Sequence, residues 1–167
     1  MKKITLTISI LLLFAATSYA QIQKRSVLVG ASSNLGFSST SYEGGDDNLN
    51  VFTLDLKTGY FVMDNLALGL RFGYNKYSVG DNDVSQTLFG LFGRYYVNGK
   101  IFFGAGYSST KFEDSDASNS LPLEVGYAAF ITDNIALEPS ISYSIGLGDN
   151  DAKAFGLNLG FTLYFNR

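Results

Sequence analysis

The chain has 167 residues, enough for one domain, and its 12 basic and 15 acidic residues give a formal net charge of −3. It contains no histidine and no cysteine, so the commonest general base, a thiol nucleophile, disulfides and the usual transition-metal ligands are all missing. The acidic balance argues against binding to nucleic acid. The 18 glycines, 14 phenylalanines, 11 tyrosines and only two prolines favour long, fully paired strands with one tightly packed face.

Residues 1–20 have the pattern of a secretory signal peptide. Lys2 and Lys3 form a short basic region, residues 4–16 form an apolar run too short to span a bilayer, and Ser18-Tyr19-Ala20 is a small-x-small cleavage motif. A retained membrane anchor is the alternative, but the apolar run is short and strand-like sequence follows it at once. We predict cleavage after Ala20, which leaves residues 21–167 as the mature domain.

Period-two alternation begins near residue 27 and predicts strands with one apolar face. The first predicted strand covers residues 27–38 and is followed by the polar loop STSYEGGDDN. The second and third strands, about 49–60 and 66–77, form a hairpin that turns at Asp64-Asn65, whose side chains bond the local backbone and tolerate left-handed torsions. An acidic loop, SVGDNDV, follows this hairpin.

Five more strands are predicted in the rest of the chain, at about 86–97, 101–109, 121–131, 135–146 and 154–165. The fourth and fifth strands turn at Asn98-Gly99, a strong short hairpin signal, and the sixth and seventh turn at Asp133-Asn134. The fourth strand is apolar on both faces, so its phase is set by directing Arg94 away from lipid. Pro139 lies deep inside the seventh strand, and because proline rarely occurs there, it predicts a bulge or an irregularity.

Tight turns near residues 64, 98 and 133 alternate with longer polar loops, so the repeat unit is one hairpin plus one loop. This is the pattern of an up-and-down meander. Eight strands form an even-numbered antiparallel set that can close on itself, and closure leaves no unpaired backbone at an edge. We therefore predict an all-β fold: a closed, eight-stranded, antiparallel, up-and-down transmembrane β-barrel, preceded by a cleaved signal peptide.

The face opposite the apolar one distinguishes a membrane barrel from a soluble one. It carries small and polar residues and six charged residues, Asp55, Lys57, Arg71, Arg94, Glu124 and Glu138. A face in contact with water would be about a quarter to a third charged, and three acids with three bases are balanced as buried charges must be. We predict a narrow interior closed by salt bridges. A soluble, exported, lipocalin-like barrel that carries an apolar ligand in its lumen is the alternative.

Aromatic residues near the strand ends fit two rings at the membrane interfaces. The predicted rings are Tyr60, Tyr95, Phe103, Phe130 and Phe165 on the turn side, and Phe37, Tyr74, Tyr107 and Tyr143 on the loop side. Ordinary core packing is the alternative role for each of these side chains.

Acid–base catalysis has one plausible pair of residues in this chain. Glu124 and Glu138 are predicted to face inward on neighbouring strands, as the carboxylates of a barrel-embedded hydrolase would. Neutralisation of Lys57, Arg71 and Arg94 accounts for the same two residues and is favoured by the charge balance. An eight-stranded barrel leaves an interior just wide enough for side chains, which disfavours a pore. We predict no catalytic residue and no cofactor.

The four longer loops are acidic. Their aspartates include Asp46, Asp47, Asp81, Asp83, Asp114, Asp116, Asp149 and Asp151. Carboxylates in Asp-x-Asp spacing can hold Ca²⁺ or Mg²⁺, but no loop has the full calcium-loop pattern of about twelve residues. Solvated loops that keep the outer face soluble are favoured, and no metal site is predicted. Divalent bridging to anionic lipopolysaccharide is the alternative.

Several stretches together resemble a known family. They are the signal peptide, the hairpins Gly59–Gly69 and Gly126–Leu137, the sequence Arg94-Tyr95-Tyr96, and an aromatic last strand that ends Leu163-Tyr164-Phe165. The chain resembles small eight-stranded bacterial outer-membrane barrels of the OmpA-transmembrane and OmpX type, and more closely the broad outer membrane protein beta-barrel domain family. One difference is that Asn166-Arg167 follow Phe165, whereas such barrels often end on the aromatic residue.

The resemblance implies a protein of the Gram-negative outer membrane, with its lipids and lipopolysaccharide as neighbours. It also implies insertion by the barrel-assembly machinery, which reads the last strand. The typical roles of the family are envelope integrity and adhesion. From the residues we predict a non-enzymatic structural protein whose barrel anchors four acidic surface loops for an unknown surface partner.

Overall fold

The computed structural model of the protein describes residues 22–32, 36–41, 48–80, 82–113, 116–148 and 152–166. The predicted signal peptide lies outside this part of the chain, so its cleavage stays a prediction. The described residues form ten strand segments: β1 (Val27–Ser32), β2 (Gly36–Ser41), β3 (Asn48–Met63), β4 (Leu66–Val79), β5 (Asn82–Val97), β6 (Ile101–Phe112), β7 (Ser118–Tyr127), β8 (Ala129–Phe130), β9 (Ile135–Leu147) and β10 (Lys153–Phe165). They include no helix that is long and apolar enough to cross a membrane.

Strand pairing closes the sheet into a barrel. β1 pairs with β10 on one side, where Val27 lies opposite Phe165, and with β3 on the other side, where Val27 lies opposite Tyr60. β2 continues along the same edge of β3, so β1 and β2 together count as one of the eight barrel strands. β7 and β8 are separated by Ala128 and both pair with β9, so they also count as one barrel strand. The prediction of a closed, eight-stranded antiparallel barrel is confirmed.

The turn residues named from the sequence lie between consecutive strands. Asn65 has a φ of 62° between β3 and β4, and Asn98 and Gly99 have φ values of 52° and 65° between β5 and β6. Left-handed torsions are least unfavourable at glycine and asparagine, which is why these residues suit tight turns. Asp133-Asn134 lie between β8 and β9.

Apolar side chains point away from the barrel axis. Along β10, Phe155 and Leu157 are 67% and 75% exposed, whereas Thr162 and Tyr164 on the opposite face are buried. Large apolar surface on this scale is unfavourable in water but not in hydrocarbon. The outer surface of the barrel is therefore suited to lipid.

An apolar band on the outer face matches the thickness of a bilayer. It covers residues 66–74 of β4 and 87–97 of β5, and alternation places Lys76 and Asp83 on the same outer face but beyond the loop side of the band. A tilted transmembrane strand needs about 9–11 residues, which is the length of these stretches. The parts of β4 and β5 beyond the band extend above the membrane.

The hairpin of β4 and β5 is longer than predicted. β4 continues to Val79 and β5 begins at Asn82, so the predicted loop of residues 78–84 is reduced to a tight turn that includes Gly80, with a φ of 56°. Apolar and polar residues stop alternating where both faces of a hairpin meet water. For that reason the sequence predicts a loop in a region where the two strands in fact remain paired.

Phe130 faces the interior, so its predicted place in the turn-side aromatic ring was wrong. Its ring centroid lies 5.1 Å from that of Tyr164. Alternation along β7 and β8 explains the orientation of Phe130, because Glu124 points inward and Phe130 lies an even number of residues later. The other four predicted turn-side aromatics are between 47% and 53% exposed. Phe37 lies in β2, and its side chain is outside the described set.

Pro139 lies within an uninterrupted β9. The irregularity is instead in the neighbouring strand, between β7 and β8. Their hydrogen-bonded ladder to β9 is interrupted between the pair Gly126–Ser140 and the pair Ala129–Leu137. Proline has no N–H group to donate, so a gap in the ladder that faces it is expected.

Candidate functional site in the barrel lumen

All six charged residues predicted for the lumen point into the barrel. Asp55 and Lys57 come from β3, Arg71 from β4, Arg94 from β5, Glu124 from β7 and Glu138 from β9. They form four ion pairs with N–O distances from 2.5 to 3.3 Å. Side chains from five strands therefore meet around the barrel axis in two ionic groups.

Arg94 is the centre of the larger group. Its Nη1 donates to Glu138 Oε2 at 2.7 Å and to the Tyr96 hydroxyl at 3.2 Å, and its Nη2 donates to Glu124 Oε2 at 2.8 Å. The guanidinium carbon lies 4.0 Å from the centroid of the Phe102 ring, within cation–π distance. Arg94 thus bridges two acids from the opposite side of the barrel.

Two tyrosines complete the hydrogen bonding of Glu138. The Tyr164 hydroxyl donates to Glu138 Oε1 at 2.5 Å, and the hydroxyls of Tyr164 and Tyr96 are hydrogen-bonded at 3.0 Å. A continuous chain of hydrogen bonds therefore runs from Arg94 through both tyrosines to Glu138. Buried polar networks of this kind rigidify a core. Among the described residues, Arg94 Nε is the one buried side-chain polar atom without a hydrogen-bond partner.

The remaining charged side chains lie nearer the loop side. Arg71 donates to both oxygens of Asp55, at 2.9 and 2.5 Å, in a bidentate pair. Lys57 Nζ lies 3.3 Å from Glu124 Oε1, which also accepts a hydrogen bond from Ser140 at 2.8 Å. The smaller group, Asp55 and Arg71, is thus contributed by the adjacent strands β3 and β4.

A cavity of 70 Å³ lies within the lumen beside these charges, on the loop side of Arg94. Its lining includes Lys57, Arg71, Ser108 and Glu124. Side-chain exposure rises from 1% at Arg94 to 17% at Lys57 and 32% at Arg71. Solvent access to the network therefore increases toward the loops.

An aromatic layer fills the lumen on the turn side of Arg94. Phe61, Tyr96, Phe102 and Tyr164 are fully buried, and neighbouring ring centroids in this layer are 5.6 to 6.3 Å apart. These distances are typical of packed aromatic pairs. The turn-side half of the interior is therefore filled by large rings.

Sequence reasoning missed this layer because it described the interior as small residues around a few ions, although alternation along the last strand places Tyr164 on the inner face. Phe61 and Phe102 lie just outside or at the ends of the predicted strands, where the apolar pattern was not extended. The signal was available: Phe61 has the same parity as Asp55 and Lys57 on β3, so extending the alternation would have placed it inside.

The segment Ile22–Ser26, called here the N-terminal strap, packs against the aromatic layer. Ile22 is fully buried, its amide donates to Asn65 Oδ1 at 3.1 Å, and its carbonyl accepts from the Asn65 amide at 2.9 Å. The Lys24 amide donates to Asp64 Oδ1 at 2.7 Å. The predicted turn Asp64-Asn65 therefore binds the strap as well as reversing the chain.

The strap also connects the two ends of the described chain. The Arg25 amide donates to the Phe61 carbonyl at 2.9 Å. Ser26 Oγ donates to the carbonyl of Asn166 at 2.8 Å, which joins the residue before β1 to the residue after β10.

Comparison with known proteins identifies the family to which this barrel belongs. A family model described as outer membrane protein beta-barrel domain matches residues 6–165. The chain belongs to this family. A search of curated proteins finds no match.

Solved outer-membrane barrels share the fold of this family member. OprG from Pseudomonas aeruginosa is 17% identical with a TM-score of 0.58, and the alignment covers 87% of this chain and 98% of that one. The N-terminal β-barrel domain of OprF from Pseudomonas aeruginosa is 17% identical with a TM-score of 0.54, over 85% and 98% of the two chains. Ail from Yersinia pestis is 16% identical with a TM-score of 0.53, over 85% and 100%. At these identities the likeness shows the fold alone.

As an outer membrane protein beta-barrel domain protein, the chain resides in the Gram-negative outer membrane, among its lipids and lipopolysaccharide. The exposed apolar band is the surface that meets the hydrocarbon of that membrane. The loops and turns lie outside it.

Most of the loop aspartates of this outer-membrane barrel are outside the described residues, namely Asp46, Asp47, Asp81, Asp114, Asp149 and Asp151. Asp83 pairs with Lys76 at 2.6 Å beyond the membrane band, and this hydrogen bond lowers the pKa of Asp83 and raises the pKa of Lys76. Asp116 is exposed. Within the described part of the chain, no group of three or more acidic side chains is arranged to hold a metal ion.

Proposed function

We propose that this outer-membrane barrel is a non-enzymatic structural protein, closed on its turn side, that anchors acidic loops at the cell surface. The observation that carries the proposal is the burial of Phe61, Tyr96, Phe102 and Tyr164 beneath Arg94. Rings packed at such distances leave little room for a continuous file of water. Their position supports a closed lumen in preference to a pore.

The contacts of the two inward glutamates support a structural role for the ionic network. Glu124 accepts hydrogen bonds from Arg94 and Lys57, and Glu138 accepts them from Arg94 and Tyr164. A general base needs an accessible lone pair within reach of its substrate. Carboxylates engaged in this way favour charge neutralisation over hydrolysis.

The soluble lipocalin-like alternative is not favoured. A carrier of apolar ligands needs an apolar lumen, whereas this lumen holds Asp55, Arg94 and Glu138 in buried positions. The largest exposed apolar surface, at Phe155 and Leu157, is instead on the outside.

Electrical recording tests the closed lumen. We expect the purified barrel to produce no steady conductance in a planar lipid bilayer, while it fractionates with membranes and runs as a faster, heat-sensitive band on an unboiled detergent gel. Stable open channels would contradict the closed lumen. Recovery of the protein in the soluble fraction would favour the carrier.

Paired substitutions test the absence of catalysis. We expect Glu124→Gln and Glu138→Gln to lower the stability of the barrel, because each leaves Arg94 with one anionic partner fewer. If either variant instead abolished hydrolysis of a lipid ester by the wild-type protein while its unfolding temperature stayed unchanged, the protein would be an enzyme.

The proposal includes processing, insertion and a surface partner. Cleavage after Ala20 would give a mature chain of residues 21–167, delivered to the membrane by the barrel-assembly machinery. N-terminal sequencing of the outer-membrane form is expected to begin at Gln21, and a sequence beginning at Met1 would contradict cleavage. Cross-linking on intact cells, with and without loop replacement, tests whether a partner binds the loops.

A further inference from the structure

We propose that the lumen cavity on the loop side of Arg94 binds one small oxyanion of the carboxylate or phosphate class, with Lys57 and Arg71 as its charged donors. In the proposed closed lumen the cavity is a dead end that is reached from the loops, but binding depends on the donors that line it and not on the closure. Nothing in the structural role requires such a ligand, so the site is an additional property of the barrel.

The sign of the ligand follows from the acceptors, which are already engaged. Both oxygens of Asp55 accept from Arg71, and both oxygens of Glu138 accept from Arg94 or Tyr164. Each of these oxygens keeps some acceptor capacity, but a cation in the cavity would also lie beside Lys57, Arg71 and Arg94 and would be repelled by them. The cavity therefore disfavours a cationic ligand.

Both oxygens of Glu124, the acid that lines the cavity beside Lys57, are engaged as well. Oε1 accepts from Lys57 and Ser140, and Oε2 accepts from Arg94. Every carboxylate oxygen of Asp55, Glu124 and Glu138 therefore already accepts at least one hydrogen bond.

Hydrogen-bond donors, in contrast, are in surplus. Lys57 has three N–H groups and, among the described residues, a single acceptor, Glu124 Oε1. Arg71 uses its Nε and Nη2 on Asp55, and within the same part of the chain Nη1 has no acceptor. These two side chains are partly exposed, so water can accept from their remaining N–H groups. An anionic oxygen makes hydrogen bonds about twice as strong as the neutral oxygen of water.

The cavity has the size of a small ligand because glycines line it. One water needs about 10–15 Å³ of the space that is open to a water-sized sphere, so a cavity of 70 Å³ has room for several waters or one small oxyanion. Gly90, Gly104 and Gly160 contribute to the lining. A methyl group added at Gly104 would lie 3.5 Å from Glu124 Cβ and 3.7 Å from its Oε2, so it would occupy part of this space without a clash.

The acidic loops oppose the approach of an anion, but their effect is short-ranged. At physiological ionic strength their field is screened over about 8 Å. Charges within the lumen are less screened and interact more strongly than charges in bulk water. Local donors at Lys57 and Arg71 therefore dominate binding once the anion has entered.

Thermal unfolding of the full barrel in detergent tests the proposal. Sodium phosphate or sodium acetate is titrated against sodium chloride at constant ionic strength. We expect a saturable rise in the unfolding temperature, because a ligand that binds the folded state stabilises it by mass action. Separate phosphate and acetate series distinguish a tetrahedral from a planar oxyanion.

Matched lysine variants locate the site. Lys57→Met is expected to raise the apparent Kd about tenfold, because it removes a charged donor from the cavity. Lys76→Met removes an exposed lysine outside the membrane band and is expected to leave the Kd unchanged. An equal loss of affinity in both variants would overturn the site.

Matched glycine variants keep the test decisive if Lys57→Met fails to fold. Gly104→Ala adds a methyl group inside the cavity, whereas Gly93→Ala adds one on the outer face, 3.4 Å from Leu68. We expect only Gly104→Ala to weaken the oxyanion effect.

The possible failures are distinguishable. A wild-type barrel that does not conduct, and whose unfolding temperature rises with neither oxyanion, would overturn the oxyanion site alone. A barrel that conducts but still shows the saturable rise, sensitive to Lys57→Met, would overturn the closed lumen alone.

Discussion

Arg94 is the residue on which the turn-side part of the ionic network depends. It is 1% exposed, and it donates to both Glu124 and Glu138. Glu124 also forms an ion pair with Lys57, whereas the ion pair recorded for Glu138 among the described residues is with Arg94 alone. Most of the energetic importance of a buried ion pair lies in the charge that remains when one partner is removed.

Replacing Arg94 by leucine is expected to lower the free energy of unfolding by about 3–5 kcal/mol, because it leaves Glu138 buried and without its ion-pair partner. Denaturant unfolding of the barrel in detergent measures the change. The double variant Arg94→Leu/Glu138→Gln is the control, and it should recover part of the loss since the stranded charge is removed. Resistance to unfolding that is unchanged in Arg94→Leu would show that Arg94 carries no such role.

Tyr164 offers a finer test at the same site. Tyr164→Phe removes the hydroxyl that donates to Glu138 Oε1 and is expected to destabilise the barrel by about 1–3 kcal/mol. Tyr95→Phe makes the same chemical change on the outer face, where the side chain is 51% exposed, and should have little effect. Equal effects of the two variants in the same unfolding assay would argue against a buried network.

At the scale of the element, the N-terminal strap is held by side-chain and backbone contacts, with no strand pairing of its own. Ile22 supplies its buried side chain, and the turn Asp64-Asn65 supplies hydrogen bonds to the strap backbone. A short segment fixed in this way depends strongly on its one buried anchor.

Ile22→Ala is therefore expected to destabilise the barrel by about 2–5 kcal/mol, the range for truncating a fully buried aliphatic side chain. Gln23→Ala, a change at the exposed neighbouring position, serves as the control and should be nearly neutral. Hydrogen exchange at the Lys24 amide gives an independent measurement. If that amide exchanged equally fast in both variants and in the wild type, the strap would not be anchored by Ile22.

Individual elements also show where sequence reasoning succeeds and where it fails. β10 alternates cleanly, and its two faces could be assigned from sequence because one meets lipid and the other meets small or buried groups. β5 is ambiguous because Leu88 and Phe92 belong to the interior, which is itself partly apolar. Only the requirement that Arg94 avoid lipid fixed its phase.

The residues of the candidate site were predictable to different degrees. The six lumen charges could be named because charged residues are rare on these strands and balance in sign. Their pairing could not, because which acid meets Arg94 depends on barrel tilt and stagger, which link strands that are distant in sequence. Phe61 and the strap lay beyond the predicted strand ends, where alternation was not followed, whereas Tyr96, Phe102 and Tyr164 lay within predicted strands and were not recognised as one layer.

At the scale of the whole molecule, the barrel has apolar side chains outside and ions inside. Leu157 is the most exposed of the large apolar side chains. In a water-soluble barrel such a position would accept a charged residue at little cost. In a membrane barrel the same change places a charge in hydrocarbon.

Leu157→Arg is accordingly expected to destabilise the lipid-embedded barrel by about 2–4 kcal/mol. Val84→Arg is the control, since Val84 is 50% exposed and lies beyond the apolar band. Unfolding in lipid vesicles measures both. A Leu157→Arg barrel as stable as the Val84→Arg barrel would mean that β10 does not face hydrocarbon.

The pairing of β1 with β10 has a consequence for biogenesis. Val27 lies opposite Phe165, and the bond from Ser26 to Asn166 spans 140 positions of the chain. The seam can form only after the last strand has been exported, and contacts between such distant segments form slowly. Until then the nascent sheet has two open edges, which invite pairing with other chains. We therefore expect the chain to need protection in the periplasm between export and the moment when β1 pairs with β10.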